Sequence, residues 1–394
     1  MHQFFNRVRK VEHAWKAALA LCVFCAPLPG LLSRSEAQTP PAQHAIELER
    51  QGKLVEAAQA WREAIQAQPN DAGAYAQLGL VLAKSGDYQN AIPAYRKALA
   101  IHPALPQVSL DLGLAEFKLE HFSEAIDPLR TALASLPQDA RVPILLGMSY
   151  FGSAHYAEAA KYLQPAAQRD PSNLKLHTIV AQSCLWSDQY ECALNEFHQI
   201  LIANPESAQT HMLLGEAQDG LGKTEEAIKE FQTAADSSPN EPNVHFGLGY
   251  LQWKLHRYND AEKEFALEVK NDPRHAQAYG YLGDIAMRQN HPADAVANLE
   301  KAVQLQDNIR LAQYDLGNVY ATLGRNDDAV HALERAVALD PSQPDAHWRL
   351  ARLYQAMGRK QEAKAELART NEIHQKLDDQ KLVHKLPGQP AVAQ

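Results

Sequence analysis

The chain has 394 residues, and its formal net charge at pH 7 is −9, from 47 Asp and Glu against 38 Lys and Arg. A globular chain of this length would form two or three domains. The acidic balance repels phosphate backbones, so we do not expect nucleic acid to be a partner.

The first 37 residues are typical of a secretory signal. A basic start is followed by a short apolar core at residues 17–26, then by helix breakers and by small residues at a cleavage site that ends in Ala37. The alternative is an uncleaved membrane anchor, but the apolar core is shorter than the roughly 20 residues that a spanning helix needs. We therefore expect export to the periplasm or beyond the cell, with attachment to the envelope left open.

From residue 38 the sequence repeats every 34 residues without an insertion, and the tenth unit ends at residue 377. Each unit predicts two short amphipathic helices joined by a tight turn. In residues 208–241 the first helix carries Met212 and Leu214, the second carries Ala227 and Phe231, and Pro239 ends it. Two such helices cannot bury their apolar faces alone, so the units must stack.

Three positions in the unit keep one type of side chain, and a fourth is usually proline. Position 20 is alanine throughout: Ala57, Ala91, Ala125, Ala159, Ala193, Ala227, Ala261, Ala295, Ala329 and Ala363. Position 8 is small: Ala45, Gly79, Gly113, Gly147, Ala181, Gly215, Gly249, Gly283, Gly317 and Ala351. A side chain larger than a methyl group would push closely crossing helices apart. A bulky apolar residue at position 24 fills the space beside that contact, and proline at position 32 ends the second helix.

This pattern resembles the tetratricopeptide repeat (TPR). The resemblance implies an all-α fold, a right-handed superhelix (solenoid) of about ten helix-turn-helix repeats. It also implies a non-enzymatic scaffold that binds a peptide or a partner protein in an inner groove. Many bacterial TPR proteins have such a role in envelope assembly, secretion or polysaccharide export.

The TPR resemblance assigns the groove to positions 2, 5, 9 and 12 of each first helix. The residues expected there to bind a partner are Met148, Phe151, Gln182, Leu185, Met212, Glu216, Asp219, Phe246, Tyr250, Trp253, Asp284, Met287, Tyr314 and Asn318. Aromatic and methionine side chains are typical anchors, and the three acidic residues would orient basic residues of the partner. Trp348 and Arg352 extend the row into the tenth unit. The alternative is that neighbouring first helices bury these side chains against each other.

Cys184 and Cys192 lie on either side of the turn in the fifth unit. Oxidation is permitted in an exported protein, so a disulfide is one interpretation. The other is that Cys184 is a small apolar residue in a buried position. The distance between the two Cα atoms decides between them.

The sequence predicts neither an enzyme nor a metal or cofactor site, and no small-molecule substrate is evident. His177, His211, His245 and His347 recur at one repeat position, which indicates a structural role, and no metal-ligand spacing accompanies them. An alternative is a substrate-recruiting part that resembles the repeat region of O-linked glycosyltransferases, without the catalytic domain. The expected partner is a protein or peptide, with peripheral membrane association left open.

Residues 378–394 follow the last unit, which has Gln375 where most units have the closing proline. We therefore expect its second helix to continue to about Lys385, before Pro387, and the remaining tail to be disordered.

Overall fold

The computed structural model describes residues 40–384, and this part of the chain contains only α-helices and their connecting turns. Twenty helices lie in this range, two for each predicted unit, so the all-α fold of helix-turn-helix repeats is confirmed. Odd-numbered helices are the first helices of their repeats, and even-numbered helices are the second. The predicted secretory signal at residues 1–37 and the tail beyond residue 384 lie outside the described residues.

The helices fall into two compact units, and the first ends at Pro205. Unit 1 holds repeats one to five. Its helices are α1 Pro40–Arg50, α2 Leu54–Ala67, α3 Ala72–Lys84, α4 Tyr88–Ile101, α5 Pro106–Lys118, α6 Phe122–Ser135, α7 Arg141–Gly152, α8 Tyr156–Arg169, α9 Leu174–Trp186 and α10 Tyr190–Ala203.

Unit 2 begins at Glu206 and holds repeats six to ten. Its helices are α11 Ala208–Gly220, α12 Thr224–Ser237, α13 Val244–Lys254, α14 Tyr258–Asn271, α15 Ala276–Arg288, α16 Pro292–Leu305, α17 Arg310–Thr322, α18 Asn326–Leu339, α19 Pro344–Ala356 and α20 Lys360–His384. In each unit, a helix packs mainly against its neighbours along the chain.

Position 8 of a first helix lies directly against position 24 of the second helix in the same repeat. A Cβ atom added to Gly113 would lie 2.5 Å from Cγ of Leu129, and one added to Gly317 would lie 2.5 Å from Cγ of Leu333. Both leucines are fully buried. Since a real Cβ cannot come so close to another carbon, glycine at position 8 sets the spacing of these helix pairs.

Position 15 ends every first helix in the left-handed backbone conformation. In five repeats it is glycine: Gly52, Gly86, Gly222, Gly324 and Gly358. In the other five it is a residue with a side chain, with φ between 58° and 62°: Glu120, Ala154, Asp188, His256 and Asn290. This conformation has a free-energy penalty of about 1 kcal/mol or more for an L-residue, whereas glycine adopts it without that penalty.

In repeat five a disulfide joins Cys184 of α9 to Cys192 of α10, with their Cα atoms 5.8 Å apart. The Cys184 side chain is fully buried. The structure therefore contains the disulfide, which is one of the two interpretations that the sequence left open. It links the first and second helices of this repeat across their turn.

The last helix, α20, has 25 residues and continues beyond the tenth repeat. Its position-24 residue, Leu367, is 40% exposed, whereas Leu333 at the same position of repeat nine is fully buried. The difference arises because α19 covers Leu333, while no described helix follows α20. Mostly polar residues cover the rest of α20, as a terminal repeat requires for solubility.

The conformation of position 15 predicts that Ala154→Gly stabilises unit 1. The substitution removes the left-handed penalty of an L-residue, while the greater freedom of glycine in the unfolded chain offsets part of the gain. We expect the free energy of unfolding, measured by denaturant titration, to rise by about 0.5–1 kcal/mol. Gly86→Ala is the matched control: its new Cβ would meet open space, so it should destabilise by backbone strain alone. Equal stability of all three proteins would contradict this account.

Candidate functional site

The predicted binding residues all lie on first helices, and they divide into two classes of exposure. Nine are half-buried: Met148, Gln182, Met212, Glu216, Tyr250, Trp253, Met287, Tyr314 and Asn318. Five are buried: Phe151, Leu185, Asp219, Phe246 and Asp284. The expectation of an exposed row is therefore wrong for these five, and a binding role stays a prediction for the nine.

In unit 1, the predicted aromatic binding residue is Phe151, and its side chain packs against neighbouring helices. Phe151, at the end of α7, has its ring centroid 5.7 Å from that of Trp186 in α9 and 5.7 Å from that of Tyr156 in α8. Leu185, beside the disulfide, is 2% exposed. Phe151 is therefore buried against the rings of Tyr156 and Trp186, and Leu185 is buried in the next repeat.

In unit 2 an aromatic cluster surrounds Tyr281 of α15. Its ring centroid lies within 5.8 Å of those of Phe246, Tyr250, Trp253 and Phe265. The ring of His275 stacks on Phe246 at 4.7 Å, and Phe265 and Tyr281 also contact it, which explains why Phe246 is buried rather than exposed. Burial raises the pKa values of Tyr250 and Tyr281, so both hydroxyls stay protonated.

Tyr281 is not among the predicted binding residues, because it stands at position 6, outside the four groove positions. The feature of the sequence that could have identified Tyr281 is a bulky aromatic residue at this position of a first helix. Position 6 faces the neighbouring first helix, and only the observed approach of α13 and α15 shows which side chains it meets.

Asp219 already has partners inside unit 2. Its Oδ1 accepts hydrogen bonds from Nζ of Lys254 at 2.6 Å and from Oγ1 of Thr224 at 2.8 Å. The carboxylate is buried and ion-paired, so the prediction that it orients a basic residue of a partner is corrected. Its observed role is to join α11 to the end of α13.

Asp284 also has hydrogen-bond and ion-pair partners inside unit 2. Its Oδ2 accepts hydrogen bonds from Nε1 of Trp253 at 2.6 Å and from Nε of Arg288 at 2.8 Å. Charge-assisted hydrogen bonds of this kind are stronger than neutral ones. Asp284 therefore fixes the Trp253 ring and neutralises Arg288, and it is not available to a basic partner residue.

Asp315 lies near this ion pair, at position 6 of α17. Burial, and then the charge of Asp284, raise the pKa of Asp315 well above its usual value, which favours the neutral carboxyl form. Asp315 was also missed by the sequence analysis, because nothing in the sequence separates a buried carboxyl at position 6 from a solvated one.

Exposed and half-buried groove residues of unit 2 form a surface on three neighbouring first helices, which we call the α15–α19 face. Its residues are Met287, Tyr314, Asn318, Trp348 and Arg352. They stand at positions 5, 9 and 12, which share one side of a helix. Trp348 is 45% exposed, so a large aromatic ring faces solvent here.

The recurring histidines are explained by pairing within repeats. In each case Nδ1 lies 2.5–2.7 Å from a glutamate carboxylate 19 residues later: His177 with Glu196, His211 with Glu230, His245 with Glu264 and His347 with Glu366. Each pair ties a first helix to its second helix. Among the described side chains of residues 41–379, no group of three His, Cys, Asp or Glu is placed to hold a metal ion.

None of the helices between residues 40 and 384 has an apolar run of the length that crossing a bilayer requires.

Models of the tetratricopeptide repeat match the chain at residues 43–106, 82–147, 246–308 and 320–386, and a TPR repeat model matches residues 220–255. Together the matches cover about two thirds of the chain. The chain belongs to the tetratricopeptide-repeat family. Among curated proteins, no sequence matches this TPR chain.

Several solved structures are similar to the TPR array. MamA is 25% identical, with 42% of this chain and 97% of that chain covered and a TM-score of 0.39. YrrB, described as a TPR protein with an unusual peptide-binding site, is 19% identical, with coverages of 48% and 98% and a TM-score of 0.40. TTC0263, a thermophilic TPR protein of Thermus thermophilus, is 28% identical, with coverages of 45% and 96% and a TM-score of 0.37. At these TM-scores the likeness carries no information about function.

The first helices of unit 1 also hold a carboxyl group with an altered pKa. Asp111 of α5 accepts a hydrogen bond from Nε2 of Gln107 at 3.0 Å and lies near the positive charges of Lys84 and Arg141. Burial outweighs these stabilising contacts and raises the pKa of Asp111 from 3.8 to about 6. The folded protein therefore favours the neutral form of Asp111 more than the unfolded chain does.

This shift predicts the effect of Asp111→Asn on stability. A carboxyl whose folded pKa is raised stabilises the fold fully below its unfolded pKa, and this contribution is lost as the pH rises to about 6. Asn mimics the neutral carboxyl, so the variant should match the wild type near pH 4 and exceed its free energy of unfolding by about 1–3 kcal/mol above pH 7. Denaturant titrations across this range measure the difference. A difference that does not change with pH would disprove the assignment.

Proposed function

We propose that this TPR protein is a non-enzymatic scaffold that holds a peptide segment of a partner protein on the α15–α19 face. The observation that carries the proposal is the exposed ring of Trp348, next to half-exposed Tyr314 and Met287 on neighbouring first helices. Aromatic and methionine side chains of this kind dominate the energy of protein interfaces.

The composition of the face suits an extended peptide. Tyr314 and Trp348 stand at position 5 of successive repeats, and Asn318 and Arg352 stand at position 9. The aromatic rings offer apolar contact, while the Asn318 amide can both donate to and accept from a peptide backbone. Regular spacing of the two rows would hold a chain that runs across the helices.

The second helices of unit 2 present a different surface. Exposed residues at their starts are acidic, as with Glu225 and Glu226 in α12 and Asp327 and Asp328 in α18. Such groups are well solvated and contribute little to binding unless a partner neutralises them. The contrast between the two surfaces favours the first-helix face as the binding side.

The polar groups near the face support a binding role rather than a catalytic one. Asp284 is ion-paired with Arg288 and hydrogen-bonded to Trp253, and burial favours the neutral form of Asp315. These groups hold the first helices together and fix the Trp253 ring.

We also propose that the protein is exported and acts in the cell envelope or outside the cell, in assembly, secretion or polysaccharide export. The basic and apolar pattern of residues 1–37 supports export. The disulfide between Cys184 and Cys192 adds to it, since such bridges persist in oxidising compartments.

The binding proposal predicts that Tyr314→Ala with Asn318→Ala removes the partner. Capture from envelope extract by the wild type should recover a protein that the double variant recovers at least about tenfold less well. Leu267→Ala is the control, because Leu267 is 39% exposed on the second helix α14 and should leave recovery unchanged. Tyr250 and Trp253 are unsuitable targets because they pack on Tyr281. Equal recovery by the double variant, with an unchanged thermal unfolding curve, would remove the proposal.

The export proposal predicts the N-terminus of the mature protein. When the full chain is produced in a bacterial host, osmotic shock should release a form whose first residue is Gln38. Recovery of the chain in the membrane pellet with residues 1–37 attached would instead support the uncleaved anchor. Recovery of the intact chain in the cytosol would contradict export.

A further inference from the structure

Five arginines in unit 2 lie over aromatic rings that belong to its first helices, and three of these rings stand at groove positions 5 and 12. The guanidinium carbon of Arg288 is 5.9 Å from the ring centroid of Trp253, that of Arg310 is 5.8 Å from Tyr314, and that of Arg352 is 5.5 Å from Trp348. Each pair is within the range of a cation–π interaction. The pairs differ in what else binds the guanidinium.

The first two arginines also bind a carboxylate. Nε of Arg288 donates to Oδ2 of Asp284 at 2.8 Å, and the indole Nε1 of Trp253 donates to the same oxygen at 2.6 Å. Arg310 is paired with Asp345 of α19. In both cases an arginine on an aromatic ring is completed by an aspartate.

The third pair lacks this acid. Among the described side chains of residues 41–379, no carboxylate or hydrogen-bond acceptor contacts the guanidinium of Arg352 or the indole nitrogen of Trp348, and both side chains are exposed. The one acidic residue of α19, Asp345, is already used by Arg310. Arg349, which follows Trp348 in the chain, adds a second positive charge on the same helix.

We infer that Trp348 and Arg352 bind the carboxylate of an Asp or Glu side chain in an acidic segment of the partner protein. The inference rests on the proposed function and specifies the chemistry of its ligand. Trp253 and Arg288 show that an indole N–H and a guanidinium can share one carboxylate oxygen, and Trp348 and Arg352 present the same two donors. Arginine on an aromatic face is well suited to such recognition, because its planar donors are held in place.

Charge complementarity selects this occupant. Unit 2 has acidic residues at the starts of its second helices, yet the α15–α19 face keeps an unpaired arginine. Residues 385–394, which follow α20, contain no Asp or Glu, so that tail does not supply the missing side chain. A basic segment, as first expected from Asp219 and Asp284, would meet two carboxylates that are already ion-paired and an arginine that repels it.

The test selects peptides from a library of random linear sequences on the immobilised full-length protein. A selected peptide is then titrated by fluorescence anisotropy, alongside a copy in which Asn and Gln replace its Asp and Glu. We expect acidic residues to be enriched, and Arg352→Gln to weaken binding by about tenfold or more. Arg352→Lys should retain part of the affinity. The matched control is Arg369→Gln, an exposed arginine of α20 paired with Glu372, which should have no effect.

The amide copy of the peptide makes the test specific. It should bind the wild type about tenfold less well than the acidic peptide, and Arg352→Gln should weaken it no further. Unchanged thermal unfolding curves would show that the variants remain folded.

Each other result overturns the inference. If peptides bind but show no acidic preference, or if Arg352→Gln binds as tightly as the wild type, the inference fails while the proposed function stands. If amidation of the peptide terminus, rather than of its side chains, abolishes binding, the ligand is a terminal carboxylate and the inference is wrong. If Arg352→Gln abolishes a concentration-dependent dimer seen by sedimentation, the occupant is a second copy. If the wild type captures no peptide, both proposals fail.

Discussion

The close contact between position 8 and position 24 is the constraint on which the rest of the structure depends. At Gly113 and Gly317 even one additional carbon would lie 2.5 Å from a leucine side chain. A contact this tight fixes the distance between the two helices of a repeat. It leaves each helix pair with apolar surface that only a further pair can cover, as the partly exposed Leu367 of the last repeat shows.

The packing of neighbouring first helices decides what the first-helix side of unit 2 can present. Between α13 and α15 aromatic side chains fill the gap, and His275, Phe265 and Tyr281 cover Phe246. Aromatic residues that would be binding anchors on a more open surface become part of the core. Further along, Tyr314 of α17 is half-buried and Trp348 of α19 is 45% exposed, so an aromatic ring faces solvent there.

Ionic contacts follow the repeat as regularly as the apolar ones. Four histidines at position 4 pair with glutamates 19 residues later, and Asp219, Asp284 and Asp345 each pair with a basic residue of unit 2. A buried or half-buried carboxylate lowers stability unless it is paired. Because these carboxylates are paired within the protein, they are not available to bind a partner. The unpaired charge that remains on the α15–α19 face is Arg352.

The sequence by itself determined the architecture. Ten alanines at position 20, small residues at position 8 and bulky ones at position 24 define the helix pairs, because those positions lie within a single repeat and their packing needs no information from elsewhere. The tertiary structure alone decided which first-helix residues are accessible and which acids are already paired. Exposure of Phe246 depends on Tyr281 in the next repeat, and the availability of Asp284 depends on Trp253 in the previous one. Such contacts join residues about 30 positions apart, and their geometry depends on how neighbouring repeats approach each other, which a repeat pattern does not encode. Cys184 and Cys192 lie within one repeat, and the sequence left their pairing open because it does not give the distance between their Cα atoms.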